Sequence, residues 1–229
     1  MTPAVDPPGR QRLLKEWRNR VRAEYGSAGL ACQATHWMIR CGFPEPLIAT
    51  GLRVVADEME HARLSHAVVV AMGGRDEPMS LDIRATAAPD ASAGPLASLV
   101  DTTLRNFCLG ETFAVPLFHA MRAAATQPDA RAALDRVLRD EAVHRAFGWD
   151  AFDVLLDIDP DGVRARAQAR LPDYLDWFRR AYASSQGGAG LTDEERACGL
   201  ISGAAYRQIH DRCVETQLRP RFGKRGITF

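Results

Sequence analysis

Four glutamates and two histidines fall in a pattern that occurs twice: Glu24 is followed by Glu58-x-x-His61, and Glu111 is followed by Glu141-x-x-His144. Each half offers two carboxylates and one imidazole. Hard carboxylate oxygens and borderline imidazole nitrogens together suit a pair of first-row divalent metal ions. An aspartate precedes each Glu-x-x-His, Asp57 in the first half and Asp140 in the second. A metal-bound imidazole commonly donates its other N–H to a carboxylate, so these aspartates either orient the histidines or face solvent as ordinary helix-surface acids.

The spacing requires helical hairpins. The lone glutamates precede their partners by 34 and 30 residues, and a helix rises ~1.5 Å per residue, so each pair meets only if the chain turns back halfway. Both midpoints carry turn residues: Cys41-Gly42-Phe43-Pro44-Glu45-Pro46 in the first half and Thr126-Gln127-Pro128-Asp129 in the second. Within each Glu-x-x-His, three residues turn the helix by ~300°, which stacks the Glu and the His on one face. Charged groups aimed into a bundle core are costly unless metals or partners compensate them. All six are therefore candidate ligands and would also carry any catalysis.

Helical signals extend over nearly the whole chain, and no run alternates with period two. A first helix is predicted from about Arg12 to Arg40, a second from Pro46 to Met72, a third from Pro95 to Ala125 and a fourth from Pro128 to Leu156. A Gly-, Pro- and Ser-rich stretch from Gly73 to Gly94 would be the long crossover between the hairpins. The break Asp157-Ile158-Asp159-Pro160-Asp161-Gly162 precedes a fifth helix, Val163 to about Ala183. After the flexible stretch Ser184 to Gly190, the capping box Thr192-Asp193-Glu194-Glu195 starts a sixth helix that reaches about Arg219. The fold class is all-α, a single domain over 1–229 with a core four-helix bundle at about 12–156 and two additional C-terminal helices at about 163–219. The basic tail, Arg219 to Arg225, reads as a solvated end.

Composition sets limits. With 229 residues, 46% of them hydrophobic, the chain is long enough for a substantial core. The 29 basic and 29 acidic residues cancel, which argues against nucleic-acid binding or attachment to anionic membranes. Five cysteines without a Cys-x-x-Cys pair argue against a disulfide framework or a cysteine-bound metal. The first residues lack an apolar leader segment, and no apolar run approaches the ~20 residues of a membrane span, so a cytoplasmic location is expected.

The order Glu, Glu-x-x-His, Glu, Glu-x-x-His on four successive helices resembles the ferritin-like di-iron carboxylate superfamily. The resemblance covers about Glu24 to His144. Glu24-Tyr25-Gly26-Ser27 and Cys108-Leu109-Gly110-Glu111-Thr112 are similar to segments of small bacterial members. It implies two Fe ions, with Mn or a mixed pair as alternatives. Glu24, Glu58 and His61 would serve one side, and Glu111, Glu141 and His144 the other. It further implies O2 as co-substrate, oxidation of a small organic substrate by hydroxylation, N-oxygenation or desaturation, and an external ferredoxin or reductase as electron donor. A homodimer is compatible with it. Other branches imply an iron-oxidising or peroxide-consuming protein without organic substrate, a dimanganese catalase, or a tRNA hydroxylase, the last disfavoured by zero net charge.

The chain departs from some branches. It has the second His that ferritin proper generally lacks, and it lacks the cysteine-bound iron domain of rubrerythrins. Val137 stands where the aromatic-amine N-oxygenase branch carries a further His. His36, His66, His119 and His210 are read as off the ligand face, with His210 on the sixth helix left open as an added ligand. The small residues Gly26 to Gly29 and Ala31-Cys32 are consistent either with space beside the metals or with close helix packing. Pro116 should kink or bulge the third helix near Glu111. Tyr25 and Trp149 are read as core aromatics.

Overall fold

The computed structural model describes residues 7–77, 80, 94–184 and 190–229, and among them the chain is all-helical, without a strand. Helix α1 spans Pro7–Arg40 and α2 Glu45–Ala71. The start at Pro7 corrects the expected start near Arg12: a proline lacks the N–H that the first helical turn leaves unbonded in any case, so Pro7-Pro8 opens the helix. The turn falls at the predicted midpoint. Phe43 N–H bonds back to the Met38 carbonyl at 3.0 Å, and Gly42 between them takes φ +72°, a left-handed conformation that suits glycine. The proposed crossover, Gly73 to Gly94, lies largely outside the described residues, as does most of the Ser184 to Gly190 stretch.

The second hairpin is built from α3 (Pro95–Thr102), a π-helical segment (Thr103–Gly110), α4 (Glu111–Ala124) and α5 (Pro128–Ile158). α3, the π-helical segment and α4 follow one another without a gap. The irregularity expected at Pro116 lies earlier in the chain and delivers Glu111 at its end, where Glu111 N–H bonds to the Asn106 carbonyl five residues back. Pro116 has no N–H to offer the Thr112 carbonyl, which instead accepts a bond from the Cys213 thiol at 3.4 Å. α1 packs along α2, α2 on α5, and α5 on α4 and the π segment. The widened backbone of the π segment rests on Gly148 of α5, where an added Cβ would lie 2.6 Å from Phe107 Cβ and 2.7 Å from its carbonyl carbon. Gly148→Ala should therefore force the two helices apart and cost about 1–3 kcal/mol, read as a fall of roughly 2–12 °C in thermal midpoint.

Helix α6 (Pro160–Ser184) begins three residues before the expected Val163, because Asp159 caps it through a bond from Gly162 N–H to its Oδ1 at 3.0 Å. The expected sixth helix is broken. The capping box forms as read, but α7 (Asp193–Ala197) stops after five residues, and α8 (Gly203–Cys213), a π segment (Val214–Leu218) and α9 (Arg219–Gly223) follow. The carbonyls that would continue α7 are taken by tertiary donors: Ala197 accepts from Thr126 and Gln127 N–H, and Cys198 from the Trp17 indole. Gly199 then turns at φ +83°. The tail is likewise not a solvated end, since Phe222 and Ile227 are buried and Arg225 pairs with Asp153. No helix among the described residues is long and apolar enough to cross a membrane.

Candidate metal centre

α1, α2, α4 and α5 each aim part of the repeated pattern at one place. Glu24, Glu58, His61, Glu111, Glu141 and His144 are all buried, at 7% exposure or less. Glu58, His61, Glu141 and His144 each offer one ligand atom, and these atoms lie within 4.8 Å of one another. Glu24 and Glu111 are buried beside this group, near enough for the Glu58 charge to act on both. Glu58 lies between the imidazoles, its Oε2 3.5 Å from His61 Nδ1 and its Oε1 3.1 Å from His144 Nδ1.

Asp57 and Asp140 reach across the bundle. Asp140 Oδ2 lies 3.1 Å from His61 Nε2, and Asp57 Oδ2 lies 3.6 Å from His144 Nε2. Each aspartate therefore faces the histidine of the other motif. The Asp140 carboxylate on His61 Nε2 favours the N–H at that atom and leaves the Nδ1 lone pair pointing inward, whereas His144 Nε2 is buried without a hydrogen-bond partner. Sequence reasoning missed Arg136. It bonds Asp140 Oδ2 through Nε at 2.5 Å and Asp57 Oδ1 through Nη2 at 3.0 Å, tying both aspartates to one guanidinium. Its four-residue offset from Asp140 was readable in the sequence, but its reach to Asp57 on another helix was not.

Four candidate ligand atoms are unsatisfied. Glu58 Oε2, Glu141 Oε2, His61 Nδ1 and His144 Nδ1 are buried without a hydrogen-bond partner. Leaving buried polar atoms unpaired costs roughly 1–3 kcal/mol each, so an occupant that satisfies them fits the site. Charge gives the same answer. Four carboxylates and two neutral imidazoles carry four negative charges, which two divalent cations cancel.

In the metal-free chain protons do this work. Burial and the Glu58 charge push Glu24 up to about 8; burial and Glu58 push Glu111 up to about 7; burial and Glu111 push Glu141 well above the carboxylate range. For Glu58, burial acts upward, but the two adjacent imidazoles outweigh it and hold the group down at about 2. Burial opposes charge on His61, yet Glu58, Glu24 and Asp140 raise it to about 9, and His144 is raised by Glu58 and Glu111. Ligation needs ionised carboxylates and neutral imidazoles, so metal uptake must release protons. Affinity for Co2+ or Zn2+ should fall as pH drops from about 9 to 6, and addition of metal at pH 7 in weak buffer should acidify the solution. Stability of the metal-free chain should run the other way. Carboxyls raised above their unfolded values penalise folding as pH rises past about 4.5, and the His61 contribution, complete below about 6.5, is lost through about 9. Thermal melts with and without metal should therefore diverge as pH increases.

The remaining histidines stay out of the cluster. His36 and His119 are exposed, and His66 is half-buried, 3.7 Å from Asp76. His210 is buried but stacks on Phe113, ring centroids 4.7 Å apart. Phe113 follows Glu111 by two residues, ~200° around the helix, so His210 sits on the side of α4 away from the cluster. Val137 is buried where a further ligand would stand. Of the small residues of α1, Ala28 and Ala31 are packed in the core, whereas a Cβ on Gly26 would meet nothing within 4 Å and Cys32 is exposed. Trp149 is a core aromatic whose indole N–H bonds to Thr112 Oγ1 at 3.2 Å, and Tyr25 is half-buried.

The chain is thus an all-helical protein with a buried carboxylate and imidazole group that could hold metal. No family model, curated protein or solved structure matches it.

Proposed function

We propose that this chain is a ferritin-like, non-haem di-iron oxidase or oxygenase that uses O2 to oxidise a small organic substrate. The observation that carries the reading is the crossed pair His61–Asp140 and His144–Asp57 around Glu58. It sets a carboxylate behind each imidazole, hydrogen-bonded to His61 and 3.6 Å from His144, which supports a two-sided metal site. Two Fe(II) ions held there would supply the electrons that begin O2 reduction, the chemistry for which oxygen-rich two-metal sites are suited.

The residues of the chain divide the remaining tasks. Glu58, lying between both Nδ1 atoms, would be a ligand shared across the centre. Glu24 and Glu111 would add further buried carboxylates to hold the ions. Asp57, Asp140 and Arg136 hold the imidazole rings in orientation. Burial excludes bulk water, which strengthens these interactions and protects reactive species from quenching. Insertion of one oxygen atom into a C–H or N–H bond, with the other leaving as water, consumes two electrons and two protons beyond the substrate. A separate ferredoxin or flavin reductase would deliver them.

Anaerobic loading with Fe(II) followed by O2 tests the reading. Oxidation should stop near two Fe(II) per chain and resume only when a reductant is added. Continued oxidation of excess Fe(II) with growth of a ferric mineral would instead establish an iron-storage activity. Peroxide disproportionation by the Mn(II)-loaded chain would establish a catalase.

A further inference from the structure

Phe113 of α4 is the meeting point of two C-terminal helices. From α6 it receives Phe178, ring centroids 5.2 Å apart, and from α8 it receives His210, stacked at 4.7 Å with 14° between the ring planes. Beside this contact α6 and α8 border a groove of about 350 Å3 that the metal centre does not use. Ligand pockets run from ~300 to 1,000 Å3, so the groove suits a small molecule. Leu175 and Val214, both half-buried, line it together with the His210 ring. Val214 opens the second π segment, in which Arg219 N–H reaches back five residues to the Val214 carbonyl, an irregularity frequent at functional sites.

Packing alone does not explain His210. It is 7% exposed, and a leucine or phenylalanine would cover Phe113 as well without bringing a polar atom inside. Its Nδ1 lies 3.0 Å from Asp211 Oδ1, while its Nε2 is buried with no hydrogen-bond partner. In the neutral ring the carboxylate keeps the proton on Nδ1 and leaves Nε2 as an acceptor in want of a donor. Such an unpaired atom costs stability that a bound donor would recover. The charged lining agrees in sign: Asp176, Asp211 and Glu215 stand against one cation, Arg179. Arg180 and Arg219 engage Asp176 and Glu215 from four residues further along the chain, but these pairs are exposed, and exposed pairs are worth little. An anion would meet three carboxylates here.

We infer that this groove binds a small organic amine in its cationic form, with its apolar body against Leu175 and Val214 over the His210 ring and its ammonium among the carboxylates. The groove lies across α4 from the metal cluster, so the inference stands apart from the proposed oxidation chemistry.

Titration of the full metal-free chain with benzylamine tests this, followed by calorimetry and by the ring nitrogen resonances of His210, with benzyl alcohol and benzoate as charge controls at constant ionic strength. Benzylamine should saturate at one per chain and shift the His210 resonances. Benzyl alcohol should bind at least about tenfold more weakly, the loss expected for charge-assisted hydrogen bonds, and benzoate more weakly still. The double variant Asp211→Asn, Glu215→Gln changes two exposed side chains, so it should stay folded and lose at least about tenfold in benzylamine affinity. Asp150→Asn, exposed on α5 and outside the groove, should bind as the wild type does. Absence of saturable benzylamine binding, equal binding of benzoate, His210 resonances that stay in place, or undiminished affinity in the double variant would each overturn the inference.

Discussion

Glu58→Gln should abolish binding of at least one of the two metal ions and destabilise the metal-free chain. Glu58 lies close to both imidazoles, at 3.5 Å and 3.1 Å, and it is held ionised between them. The amide keeps the shape but removes the charge. In the metal-free state this leaves the His61 imidazolium, and the His144 ring beside it, without the carboxylate between them, and removing one partner of a buried pair costs about 3–5 kcal/mol. For a chain of this size that corresponds to a thermal midpoint lower by roughly 6–20 °C. In the loaded state the variant would lose one carboxylate ligand. Metal analysis after gel filtration should find one ion or none per chain in the variant. A variant that still bound two ions with unchanged stability would show that Glu58 is not central.

Arg136→Met should weaken metal binding while leaving all six ligands in place. The guanidinium lies about 29% exposed on its side chain, at the outer edge of the site, and touches no ligand directly. Its effect runs through Asp57 and Asp140, which it holds against the histidines of the opposite motifs. Partners at this remove typically contribute 10–100-fold in metal affinity, and that is the loss expected for Arg136→Met. Arg136→Lys should restore little of it, because one ammonium cannot reproduce a fork that spans two carboxylates on different helices. Asp140→Asn should combine with Arg136→Met less than additively, since both act on the orientation of His61. Equal affinity of wild type and Arg136→Met would remove the aspartates from any role in positioning.

What the sequence disclosed follows from what helical periodicity encodes. The turns between Arg40 and Glu45 and between Ala124 and Pro128 fall at the midpoints of the two ligand spacings, because a hairpin that returns a residue to its starting level must turn halfway. The meeting of Glu58, His61, Glu141 and His144 in one buried group was legible for the same reason. The crossing of Asp57 and Asp140 to the opposite histidines was not, since spacing assigns a residue to a face and says nothing of its partner on another helix. The π segment before Glu111 escaped as well: Thr103 to Gly110 reads as ordinary helix, and its widening is accommodated by Gly148, 38 residues further along the chain. The broken sixth helix has a similar cause. Its local signals are helical through Ala197, and the interruption comes from Trp17, Thr126 and Gln127 capturing its carbonyls.

The basic tail shows the limit from the other direction. Arg219 to Arg225 has the composition of a solvated end, and four of its seven residues are arginine or lysine. The two apolar residues Phe222 and Ile227 nonetheless fix it against the bundle, with Phe222 packed edge-on to Trp149 at 4.9 Å. Burial of one large aromatic contributes about 1.5–3 kcal/mol, enough to outweigh the solvation preference of a short charged segment. Docking then aligned Arg225 with Asp153 and set Arg221 over the Trp149 ring.

The central claim is that this one buried cluster holds two metal ions. Its most direct test is metal analysis of the wild-type chain after anaerobic loading with Fe(II) and removal of excess by gel filtration. Two ions per folded chain are expected, and one or fewer in Glu58→Gln. A wild-type chain that retained fewer than two would contradict the account.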